Sequence, residues 1–120
     1  MTQMRVTDGK GVHFNLDNGW TLSVRIEGGN YSENYDFPNG DISYDNPLPP
    51  SSTAEIAIWN KSKEIEMINL PTGGDYTNTV MRYVPVTQIL ELIPVLSALP
   101  KTAVATDAES AIANHFSTYA

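Results

Sequence analysis

Asn30, Tyr31, Asn34 and Tyr35 lie close together in the chain, and Arg25 precedes them in the same stretch. These residue types suit recognition of a flat, polar ligand. Tyrosine rings offer stacking planes, and asparagine amides can read the edge of a base or a ribose. A guanidinium can hold a phosphate through paired hydrogen bonds. Arg82 is a second cation in a chain poor in them. The chemistry is that of binding, either of a small ligand or of a partner. The same tyrosines could instead pin a loop onto a sheet, and the residues alone leave both readings open.

Other constellations carry less. His13 and His115 are the two histidines, and neither sits in a metal-ligand spacing. The segment 41–45 approaches a calcium loop but lacks the glycine of the sharp turn and the terminal glutamate. Gly28-Gly29 and Gly73-Gly74 could expose backbone N–H groups to a phosphate, yet neither opens a capped helix after a buried strand. They read as turns. No serine stands in a nucleophile elbow, and no acid–base pair follows from spacing. No enzyme activity, cofactor or metal is expected.

Composition narrows the partners. The chain has 120 residues, no cysteine, seven basic and fourteen acidic residues, and a net charge of −7. One domain is expected at this length. Disulfides and thiol-ligated metals are excluded. So few cations, unclustered, cannot form the positive stripe that DNA or RNA binding needs. Binding to an anionic membrane is disfavoured for the same reason. No apolar run approaches a membrane span, and the N-terminus lacks a signal layout. The acidic surface either serves solubility or meets a basic partner.

The elements that would position Arg25 and the tyrosines follow from periodicity. Residues 12–26 alternate between apolar and polar, the signature of half-buried strands. Between them lies Asp17-Asn18-Gly19. A two-residue Asn-Gly loop would set Leu16 against Thr21. A three-residue loop pairs Leu16 with Trp20, Phe14 with Leu22 and Val12 with Val24, keeping the apolar residues on one face. This predicts a type I turn with Gly19 left-handed. Residues 3–6 make a candidate strand, joined through Asp8-Gly9. Residues 27–53 form a long loop holding Tyr31, Tyr35, Phe37 and Tyr44.

A second strand pair is expected at 53–59 and 63–70. With Lys61-Ser62 as the loop, Ile58 faces Ile65, Ile56 faces Met67, and Glu55, Glu64 and Glu66 point outward. Residues 80–84 are a candidate fifth strand. Thr87 is expected to cap a helix over 88–99, with Ile89, Leu92, Ile93, Leu96 and Leu99 on one stripe. Pro94 predicts a kink or break in it. Thr106 and Glu109 read as the capping box of a last helix whose inner face is Ala108, Ile112, Phe116 and Tyr119. Strands followed by helices indicate an α+β domain: an antiparallel sheet of about four to five strands covered by two C-terminal helices.

The string KGVHFNLDNGWTLSVRIEGGNYSENYD, with the later TAEIAIWN, resembles a pattern of small accessory proteins of tailed bacteriophages. The likeness covers about residues 9–36 and 53–60, plus the threonine-led last helix. It implies a phage gene product acting in the host cytoplasm. The strand-then-helix layout is also similar to the Thoeris anti-defence sponges, oligomers that sequester cyclic ADP-ribose signals. From the resemblance comes the expected function: a non-enzymatic counter-defence protein and homo-oligomer. It would sequester a nucleotide signal or block a host defence protein, and the residues whose own chemistry suits that contact are Arg25, Asn30, Tyr31, Asn34, Tyr35 and Arg82. The alternative is a small structural or virion-associated oligomerisation module.

Overall fold

The computed structural model describes residues 2–6, 11–26, 50–60, 66–71 and 79–118. Period-two alternation yields strands β1 (Gln3–Val6), β2 (Gly11–Asn15), β3 (Trp20–Arg25), β4 (Thr53–Asn60), β5 (Glu66–Met67) and β6 (Met81–Pro85). Helices α1 (Val86–Ser97) and α2 (Ala105–Ser117) follow. The strands form one antiparallel sheet in the order β1-β2-β3-β4-β5, and β6 pairs with β4 as well. This is the α+β architecture that the sequence implies. Asn30, Tyr31, Asn34, Tyr35 and Tyr119 lie outside the described residues, as does the Asp8-Gly9 connection.

The first hairpin adopts the three-residue register. Val12 lies across from Val24 and Phe14 from Leu22. The Leu16 N–H donates to the Trp20 carbonyl at 2.8 Å, and Gly19 takes a φ of 92°. That angle is open to glycine without steric cost. Trp20 and Leu22 are fully buried, whereas Phe14 and Val24 toward the sheet margin are half-buried. Ile56 and Ile58 of β4 continue this face, and Leu92, Leu96 and Ile112 of the helices close over it. Burial of each such side chain contributes ~1.5–3 kcal/mol.

The second strand pair differs from expectation. Met67 lies across from Trp59, not Ile56, and Ile68 N–H donates to the Ile58 carbonyl at 3.0 Å. The shift is odd, so it exchanges the faces. Ile68 and Leu70 enter the core, while Met67 is 42% exposed. Residues 65–70 carry apolar side chains at both parities, so alternation alone could not choose. The core takes the pair that places an isoleucine and a leucine inside.

Both helices start earlier than their threonines suggest. Pro85 stands at the N-cap of α1, and Thr87 lies inside the first turn. The Val86 N–H donates to the Ser52 carbonyl at 2.9 Å, which joins the helix directly to β6 and the sheet. The helix runs through Pro94 unbroken. Pro94 is on the exposed side, where water can satisfy the carbonyl that proline leaves unpaired. In α2 the N-cap is Val104, whose N–H donates to Asp107 Oδ2 at 2.9 Å. Glu109 does not close a box with Thr106. Its Oε2 accepts the Asn69 N–H at 2.7 Å and ties α2 to the chain after β5.

Candidate functional site

The two arginines singled out in the sequence come together on the sheet. Arg25 ends β3, is exposed, and lies across from Glu55 of β4. On the other side of Glu55 the pairing with β6 slips: Ala54 faces Val84, but Ile56 faces Met81. Two residues, Arg82 and Tyr83, therefore oppose the single Glu55. This is a β-bulge, which bends a strand and re-aims its side chains. Arg25, Glu55 and the bulge thus form one row across three adjacent strands.

The bulge has a local cost and a local anchor. Tyr83 has a φ of 49°, the one positive φ at a non-glycine residue among those described. Bulky residues seldom adopt this region. Tyr83 is 49% exposed, and Arg82 is half-buried. Thr53 paired with Pro85, together with the Val86–Ser52 bond, holds the strand just beyond the bulge. At the β3 end, Gly11 lies across from Arg25. A Cβ there would collide with the Val24 carbonyl oxygen and crowd the Arg25 side chain. Glycine at position 11 thus makes room for this arginine.

The row belongs to the sheet face turned away from the helices. That face also carries His13 and Trp59, whose rings meet edge to face at 5.0 Å and 84°. Thr21 Oγ1 donates to Asn15 Oδ1 at 2.8 Å beside them. No group of three or more potential metal ligands occurs among the described residues. His115 packs edge-on against Phe116 at 5.4 Å, the boundary position expected for it.

Three contributors escaped the sequence reading. Glu55 reads there only as an outward strand residue, and Tyr83 as part of a short strand. Nothing in the run VMRYV signals a left-handed tyrosine. Asn18 reads as a turn residue alone. Its Nδ2 donates to the Leu96 carbonyl at 2.7 Å and the Leu99 carbonyl at 2.9 Å, and so clamps the hairpin to the end of α1. The clamp borders an open cavity of about 330 Å³ lined by Thr2, Asp17, Ser97, Leu99, Pro100 and Lys101.

No family model matches this chain, and no similar curated protein or solved structure is found. Among the described residues, no helix is long and apolar enough to cross a membrane.

Proposed function

We propose that the protein is a non-enzymatic binding module whose contact surface is the row of Arg25, Glu55, Arg82 and Tyr83. The observation that supports it is the bulge, which sets a strained, half-exposed tyrosine and a second arginine in line with Arg25. Strained backbone at a polar surface is common where a protein grips a ligand. The row holds two guanidiniums on the strands either side of Glu55 and one phenol ring; the first suit an anionic group and the second a flat one. A nucleotide-type signal fits that chemistry, as does an acidic or aromatic patch on a partner protein. Asn30, Tyr31, Asn34 and Tyr35, outside the described residues, follow Arg25 closely in the chain and are the further contact residues we propose. The biological role we propose is counter-defence by a phage-encoded protein in the host cytoplasm, where it sequesters such a signal or blocks a defence protein.

Native mass spectrometry of the protein recovered from bacterial cells tests this reading. The unaltered protein should retain a nucleotide or a host protein. The double variant Arg25→Ala, Arg82→Lys should lose it while keeping its melting temperature. Loss of neither, or retention of nothing by the unaltered protein, overturns the reading. A structural, self-assembling role has one observation in its favour: β1 is exposed throughout.

A further inference from the structure

The sheet ends in an edge that matches itself. Among the described residues β1 pairs with β2 alone, and each of its residues is exposed. Met4 and Val6 share the face of Phe14 and Val12, the face that the helices cover farther along the sheet. Here they remain 66% and 65% exposed.

The direction of the backbone groups follows from the hairpin. Leu16 and Trp20 are hydrogen-bonded across the turn. Bonded and non-bonded pairs alternate along an antiparallel ladder. Phe14 and Val12 therefore turn their backbone groups to β3, while Asn15 and His13 turn theirs to β1. Their partners Gln3 and Arg5 face inward. Met4 and Val6 accordingly aim their N–H and C=O groups out of the edge, and extending the strand by one residue would do the same for Thr2.

We infer that a second copy of this chain adds to this edge, β1 against β1 antiparallel, with the two-fold axis passing at Met4. In that register Met4 meets Met4, Thr2 meets Val6, and the Gln3 amide meets the Arg5 guanidinium. All three outward residues of each copy are paired, for about six backbone hydrogen bonds. Moving the axis to Arg5 sets guanidinium against guanidinium and pairs fewer of the described residues. Moving it to Gln3 pairs Thr2 with Met4 and carries Val6 past the described residues of the other copy. Two molecules of charge −7 repel, yet residues 2–6 contain one arginine and no acid. The strand itself therefore sets no acidic side chain against its copy. Natural sheets shield long apolar edges because they invite such pairing. A strand pair this short buries less than the ~1,200–2,000 Å² of a standard interface, so the dimer dissociates on dilution.

Sedimentation across a concentration series gives the first test. The average mass should rise from 13.2 kDa toward twice that value. Met4→Lys places two ammonium groups on the axis, and Met4→Pro removes an outward N–H that β2 does not use. Both should stay monomeric at every concentration. Their melting temperatures, measured where the unaltered protein is also monomeric, should match its own. The chain's lack of cysteine allows a second test that tolerates a poorly folding variant. Met4→Cys places two thiols ~5 Å apart across the axis, whereas Val6→Cys separates them by ~13 Å along the strands. A short bismaleimide should therefore link the first into a dimer and leave the second unlinked. A mass fixed at the monomer value overturns the inference. So does dimerisation that ignores both Met4 changes, or equal linking at the two positions.

Discussion

A tyrosine in the left-handed region carries a backbone cost of ~1–2 kcal/mol, and Tyr83 bears it with half its side chain in solvent. Glycine carries no such cost. Tyr83→Gly should therefore be more stable than Tyr83→Ala by ~1 kcal/mol in urea unfolding, the reverse of the usual order for a strand. Equal stability would mean that position 83 relaxes out of the left-handed region. Leu22, 0% exposed at the centre of the sheet, is the contrasting residue. Leu22→Ala should cost ~2–5 kcal/mol, and an unchanged midpoint would refute the hairpin register. The two residues differ in how far a sequence can show them. Leu22 stands in an unbroken alternation, and its inward face follows from its neighbours. Tyr83 depends on a slip in pairing between strands distant in the chain, and no local pattern records that slip. Asn18 is similar, because an Asp-Asn-Gly turn looks the same whether or not its amide reaches a helix.

At the level of elements, the first hairpin was legible because only one loop length kept every apolar residue on one face. The β4–β5 pair was not, since both parities of residues 65–70 are apolar and the choice was made by the core. Helix starts were off because each threonine stands two residues past the true cap. Asp107, not Glu109, reaches back to the N–H of the N-cap, Val104. Of the candidate site, Arg25 and Arg82 were legible as scarce cations, while their alignment through Glu55 required the sheet. Gly11 supports that alignment from β2. Gly11→Ala should lower the melting temperature and also displace Arg25, because the added Cβ meets backbone that cannot move aside easily. Ligand or partner capture should fall in Gly11→Ala by more than its folded fraction falls. A loss that only tracks the folded fraction would confine glycine 11 to a packing role.

Across the whole molecule the net charge of −7 sets a field that small elements do not. If a basic host protein is the partner, association should slow and weaken as salt rises, since screening cuts the reach of surface charge to ~10 Å at 0.1 M. Affinity indifferent to salt would exclude that partner. The layering of helices on one sheet face was legible from the order of strands and helices. The bond that ties the hairpin to the end of α1 was not, because Asn18 and its acceptor Leu96 are 78 residues apart. That separation bears on time rather than on stability alone. A contact that closes so long a loop should form late in folding. Asn18→Ala should therefore leave the refolding rate nearly unchanged and speed unfolding, with its cost of ~1–3 kcal/mol confined to the unfolding limb of the chevron. Asn18 would then govern how long each molecule stays folded, and have little part in how quickly it arrives.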